Sequence, residues 1–489
     1  MVRKRPCVKS FEEGVRGRSF SSEKFLPRAL LLASLAACSS QGVQRTADAG
    51  AVEPAAPACP VALPAPHVLP GTRPEHREPG FWISRMERPD EVLLTPEEID
   101  AWNVRVRALA EDTAGLGSRA DLLAGPGAPE AVIEQMRSGL ERHRQQAAAG
   151  ERVFIDGRRP PQTFFDAIDR IQRSFEPAIG LHLMHRLTPL RCHPTDDGLY
   201  EHAGDIDFDM LLCSMLRPGE MVQVVSRHAD GWLLVRTSYA FGWTRSDRLG
   251  PEIAPADAED LLRSDRFVVV TNDRAPVWRS SERREQLAAV SIGLRLPLIS
   301  RDDAAGLVEV RAPSSSGIVT AFMDAGDVHE GYFTLTRREV VTQAFRQLDD
   351  SFGWADYGGD RDCSRFLMDL FALFGLHLPR NSTWQSRAAP VFVDSEGFDA
   401  ARRVRELELA LTRGIPLVFM PGHIMLLLGR DGEDLYAIHQ FSGYRIGCLP
   451  GHDIKMVVDR VAVTTLRLGE GSERRSFLDR FTRISIIGR

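Results

Sequence analysis

The sequence predicts a multidomain protein: a helical N-terminal segment, two small all-β domains, and a C-terminal α+β domain built on an antiparallel sheet. Three observations predict it. The chain has 489 residues, more than one hydrophobic core ordinarily serves. Its hydrophobic period changes from helical to alternating near residue 188 and becomes mixed near residue 335. In the last block helical stretches precede a run of strands, the order expected of an antiparallel α+β sheet.

Residues 1–38 read as an export signal. A basic stretch up to Arg28 leads into the apolar run Ala29 to Ala37, which ends at Cys38 and the polar Ser39-Ser40. The run is shorter than the roughly 20 apolar residues a bilayer span requires. Leu35-Ala36-Ala37-Cys38 resembles the lipobox of bacterial lipoproteins. The resemblance implies cleavage before Cys38 and lipidation of its thiol, giving a membrane anchor. With Ser39 next, it implies the periplasmic side of the outer membrane.

Residues 39–76 are rich in Ala, Pro, Gly and Gln without a hydrophobic period and are expected to be a flexible linker. Residues 77–187 are expected to form the helical N-terminal domain. In it, Thr95-Pro96-Glu97-Glu98 forms a capping box with Pro at the first helical position, and further helices lie around 129–148 and 162–176. Over 188–252 short strands alternate with turns: Met221 to Val225, the turn His228 to Gly231, Trp232 to Val235, and Gly242-Trp243. The Gly219-Glu220 strand start, the Asp230-Gly231-Trp232 turn and the closing Gly242-Trp243 resemble a bacterial SH3-like domain, which implies a small barrel. A second, more diverged SH3-like copy spans 265–330.

The net charge of −6 and pI near 6.2 argue against nucleic acid as a partner, because its binding proteins carry a strongly basic face. The seven cysteines are scattered, which predicts neither a disulfide framework nor a structural zinc site, since no CxxC pair occurs. No metal and no cofactor are expected, and the chain is expected to be a monomer.

Candidate chemistry lies in 335–489. Asp362-Cys363-Ser364 opens a helix whose apolar face is Phe366, Leu367, Leu370, Phe371 and Phe374. Asp362 fits the N-cap, which places the Cys363 sulfur at the positive end of the helix dipole, where the thiolate is favoured and the pKa falls. Downstream, His423 opens the strand Ile424 to Leu428, and His439 ends Leu435 to Ile438, with a hairpin turn at Arg430 to Glu433 between them. A loop of three or five residues would set the two histidines directly opposite on one sheet face. His423 then takes the thiol proton while His439 holds its tautomer and orientation.

These residues resemble the NlpC family of papain-like cell-wall cysteine peptidases. The likeness lies in Asp362-Cys363-Ser364, in Leu378 to Ser382 with Gln385, in Pro421 to Met425, in Ile438-His439, and in the approach Phe352-Gly353-Trp354 with Gly358-Gly359. With the helical lead-in and two SH3-like domains, the chain resembles the longer subgroup of γ-D-glutamyl-L-diamino acid endopeptidases. The resemblance implies a papain-like C-terminal fold, a metal-free Cys363, His423 and His439 triad, and peptidoglycan stem peptides as substrate. It further implies that Asp362, Ser364 and Tyr239 read the free amine of an N-terminal L-Ala, with Trp354 lining the cleft; Asp207 and Asp209 are weaker candidates. Two departures stand out: Arg365 where a small residue is usual, and Ala355-Asp356-Tyr357 where Gly-Gly is commoner. The rival expectations are a non-catalytic peptidoglycan-binding lipoprotein, and an amidase or acyltransferase on the same fold.

Overall fold

In a computed structural model of the chain the described residues are 59–111, 121–124, 129–228 and 230–488. The export signal and Cys38 lie outside them. Among the described residues no helix is long and apolar enough to cross a membrane. The architecture is mixed α/β with three sheets, antiparallel but for one edge strand of the C-terminal sheet.

The C-terminal sheet carries the candidate chemistry. Its strands run, in spatial order, Ala62–Pro64, His452–Thr465, Asp434–Leu449, His423–Asp431, Gly414–Met420, Arg483–Gly488 and Val391–Asp394. Successive residues of His423–Asp431 point to opposite faces. Ile424, Leu426 and Leu428 therefore enter one core, with Phe366, Leu370 and Phe371 of helix Cys363–Ala372, and Met425 and Leu427 enter a second. The continuous apolar run in the sequence is explained by this two-sided burial.

The two all-β regions are a six-stranded sheet of 176–245 and a seven-stranded sheet of 267–330. Neither closes into a barrel in its hydrogen bonding. The first begins earlier than the sequence suggested: Glu176–Leu183, expected within the helical block, pairs with Met221–Arg227. The helical block is also divided. Thr95 and Glu98 make the expected reciprocal cap of helix Pro96–Glu111, but this helix belongs to the C-terminal core, where Trp102 is buried. Asn103 fixes it there, donating to Gly375 O and accepting from His377 N at 2.9 and 2.8 Å.

The expected linker 39–76 is corrected from Cys59 onward. Ala62–Pro64 adds a parallel edge strand against Lys455 to Val457. Leu69, His76 and Trp82 are buried, and Trp82 Nε1 donates to His76 O at 2.9 Å. The segment has no period of its own because its order comes from the sheet it lies on. Cysteine pairing, which the sequence leaves open, is given by the structure: Cys59 is bonded to Cys448 and Cys192 to Cys213. Cysteines 389 positions apart leave no local spacing pattern to read. Among the described residues Cys363 is the free cysteine.

The Cys59–Cys448 bond closes a very long loop of the unfolded chain, so its loss is expected to lower stability by about 2–5 kcal/mol. The double replacement Cys59→Ser with Cys448→Ser should lower the midpoint of urea unfolding and expose the 59–82 strap to limited proteolysis first. An unchanged midpoint and cleavage pattern would show that the strap is held by packing alone.

Candidate active site

Asp362 accepts from Arg365 N at 2.9 Å and so caps helix Cys363–Ala372, as the sequence predicts. Cys363 is the first residue of that helix, with its side chain almost wholly buried. Its sulfur is approached by the amides of Ile424 and Ser364. The first of these belongs to the peptide joining His423 to Ile424, so helix Cys363–Ala372 and strand His423–Asp431 meet at the thiol.

The histidines meet by a different register from the one expected. The turn between the strands has two residues, Gly432 and Glu433, and a bulge shifts the pairing between Leu427 and Gly429. Leu426 then pairs with Ile438, which puts His439 across from Met425 and His423 on the diagonal of the same face. The imidazoles span that diagonal: His423 Nε2 lies 2.7 Å from His439 Nδ1. The other His439 nitrogen, Nε2, lies 2.9 Å from Thr464 Oγ1. Phe441 stacks on His439 at 4.2 Å, and Phe477 lies over His423 at 5.9 Å.

Thr464 is the residue the sequence reading missed. It is wholly buried and pairs with Ala437 in the neighbouring strand, and no motif marks it. With His439 Nε2–H donating to Thr464, His439 Nδ1 is an acceptor and His423 Nε2–H its donor. His423 Nδ1 is then the basic nitrogen.

The electrostatics correct the expectation of a preformed thiolate. Burial, and after it the Asp362 charge, push the Cys363 thiol up to about 12 against the pull of the Ile424 amide, Arg380 and the Ser364 amide. Burial holds His423 down to about 3, helped by Arg480 and Arg474, and burial with His423 holds His439 well below its ordinary value. Burial is the largest cause at all three groups, and it favours the neutral thiol and the neutral imidazoles.

The expected amine-reading groups are engaged inside the protein. Asp362 is bound by both terminal nitrogens of Arg380 at 3.1 and 2.8 Å, and Ser364 Oγ donates to Asp362 at 3.0 Å. Tyr239 donates to Glu220 at 2.7 Å, and Glu220 accepts from Arg365 at 2.8 Å. Trp354 is half-buried against the first β domain, donating to Asp209 O at 3.1 Å and packing on Phe208 at 5.4 Å. Asp209 holds Arg191 and the amides of Leu199 and Leu211. Removing one partner from a buried ion pair of this kind costs about 3–5 kcal/mol.

A cavity of about 160 Å³ borders this cluster, lined by Glu220, Tyr239, Arg365, Asp369, Arg380 and Trp384 among others. Cys363, His423 and His439 do not line it. Among the described residues no group of His, Cys, Asp and Glu is arranged to hold a metal ion.

The structure is similar to an NlpC/P60 endopeptidase from Photobacterium damselae subsp. piscicida, with 15% identity, 83% of this chain and 96% of that chain covered, and a TM-score of 0.64. An NlpC/P60 family protein from Bacillus cereus also matches, at 18% identity, 57% and 83% coverage and a TM-score of 0.40. The first likeness shows a shared fold. No family model and no curated protein matches the sequence.

Four imidazoles are held neutral by burial: His423 at about 3, His439 well below its usual 6.5, His193 at about 3 and His143 at about 4. Their folded pKa values lie below the unfolded value, so stability is complete above about pH 6.5 and is lost as pH falls below it, by about 1.4 kcal/mol per histidine per pH unit until each folded pKa is reached. Urea unfolding at pH 7 and pH 5 should show this loss, and His423→Gln should reduce it by one proton's share. Equal stability at the two pH values would contradict the assignment.

Proposed function

We propose that the chain is a cysteine endopeptidase that hydrolyses the γ-D-glutamyl-diamino acid bond of peptidoglycan stem peptides. The observation that carries this reading is the position of the unpaired Cys363, at a capped helix start and against the peptide that follows His423, which is itself hydrogen-bonded to His439. The shared fold with an NlpC/P60 endopeptidase supports it.

In this mechanism Cys363 passes its proton to His423 Nδ1 as its sulfur attacks the γ-glutamyl carbonyl. The transfer conserves net charge, and in a dry site it proceeds when the substrate carbonyl is in place to accept the developing charge. The Cys363 amide, at the start of the helix, stabilises the oxyanion. His423 then protonates the leaving amine, and water releases the acyl group from sulfur. His439 stabilises the imidazolium through the 2.7 Å contact, and Thr464 holds His439 in the accepting tautomer.

The two β domains take SH3-like roles as walls of the cleft. Cys38 carries lipid and anchors the protein on the periplasmic side of the outer membrane. Growth with a labelled fatty acid, followed by detection of label on the wild type but not on Cys38→Ala, tests the anchor.

Cys363→Ala should lower cleavage of L-Ala-γ-D-Glu-diaminopimelate peptides, whether the L-Ala amine is free or acylated, by at least about 10³-fold without changing the unfolding midpoint. Undiminished cleavage would refute the assignment. Thr464→Val should lower kcat about tenfold with KM nearly unchanged, and Thr464→Ser should restore it. A Thr464→Val enzyme with wild-type kcat would remove Thr464 from the mechanism.

A further inference from the structure

Strand Leu212–Leu216 of the first β sheet packs against the approach to the nucleophile helix, with Leu212 and Met215 on Trp354 and Ala355. Its own attachment is slight. It lies at the edge of the sheet, paired with Thr188–Arg191, and that strand meets the rest of the sheet at one pair, Arg191 with Trp243. Pro189, opposite Met215, has no N–H to give the ladder. The register shifts between Leu190 and Arg191, which makes Cys213 the extra residue of a bulge, with no partner across the ladder. A slip of one residue turns the side chains of such a strand to its other face. The Cys192–Cys213 bond is made at the bulge itself and opposes that slip.

The residue after the bulge is Ser214, which is wholly buried. Its Oγ donates to Asp356 at 2.7 Å and accepts from Arg380 Nε at 3.1 Å. Arg380 Nη1 and Nη2 bind the two oxygens of Asp362 at 3.1 and 2.8 Å, and Asp362 caps the turn that begins with Cys363. The same two charges act on the thiol, Asp362 pushing it up and Arg380 pulling it down. A line of peptide bonds and hydrogen bonds thus runs from the disulfide through Ser214, Arg380 and Asp362 to the sulfur.

We propose that the Cys192–Cys213 disulfide positions the Cys363 nucleophile, with Ser214 as the positioning residue: pinning the bulge keeps Ser214 on Arg380, and Arg380 on Asp362. Without the bond the edge strand shifts, Ser214 parts from Arg380, and the guanidinium no longer offsets the carboxylate beside the sulfur. The thiol then gives up its proton less readily. The other disulfide has no such connection, because Cys448 lies at the exposed end of strand Asp434–Leu449.

The test is the rate of alkylation of Cys363 by iodoacetamide at pH 9, followed by peptide mapping, since the thiolate is the form that reacts. Cys192→Ala with Cys213→Ala, and separately Ser214→Ala, should each slow the alkylation at least about threefold. The triple variant should be no slower than the slower of these two, because all three changes break one line. Cys59→Ser with Cys448→Ser should stay within about twofold of the wild type. A change that merely loosened the fold would expose the thiol and speed its alkylation. Faster or unchanged alkylation in either variant, additive slowing in the triple variant, or equal slowing on loss of Cys59–Cys448 overturns the proposal. The proposal deepens the peptidase reading, on which the same two variants should lower kcat at least about threefold with KM nearly unchanged. A cleaving enzyme whose kcat neither variant alters overturns the positioning role. If the wild type cleaves no stem peptide the peptidase reading fails, and the alkylation rates still decide whether the disulfide governs the thiol.

Discussion

The interaction on which the site depends is the bidentate pair between Arg380 and Asp362. Asp362 has two tasks that pull in different directions. As N-cap it fixes the first turn of the nucleophile helix, and as a buried carboxylate next to Cys363 it opposes the thiolate. An uncompensated charge at that depth would be too unfavourable to keep. Arg380 makes it tenable and ties it onward to Ser214 of the first β sheet. Arg365 and Arg217 extend the same cluster to Glu220, Asp369 and Asp356. The first β sheet and helix Cys363–Ala372 are therefore joined by one set of ion pairs and hydrogen bonds, and what fixes the start of that helix also fixes the charge around it.

A second constraint is dryness. The sulfur and both imidazoles are buried, and desolvation is the largest influence on each. A buried neutral thiol is protected from oxidants, because the thiolate is the form that oxidants attack. The contacts His423–His439 and His439–Thr464 fix the orientation of both rings in this buried setting.

Much of this was legible from local pattern. Thr95 to Glu98 announced a helix start, Asp362-Cys363 a second capped helix start, and Pro421 to Met425 with Ile438-His439 two strands bearing histidines. Long-range relations were not legible. Cys59 and Cys448 are far apart in sequence, and the strap from Cys59 to Trp82 gains its order from a sheet nearly 400 residues downstream. The bulge near Leu428 altered which residues face each other without altering the face they share. Arg365 and Asp369, four apart on a helix, have the pattern of a solvated polar face, yet both are buried because the first β domain covers them. Arg380 lies within a family-like segment and Asp356 within a departure from it, but their pairing appears only when Asp362 and Ser214 are beside them.

The most direct test of the account is the covalent intermediate itself. Rapid acid quench of the enzyme with a γ-D-glutamyl stem peptide, followed by intact-mass and peptide mapping, should show a single adduct of the mass of the acyl portion on Cys363, removed by hydroxylamine as a thioester is. Turnover with no adduct at any time, or an adduct on another residue, would contradict the claim that Cys363 carries the chemistry.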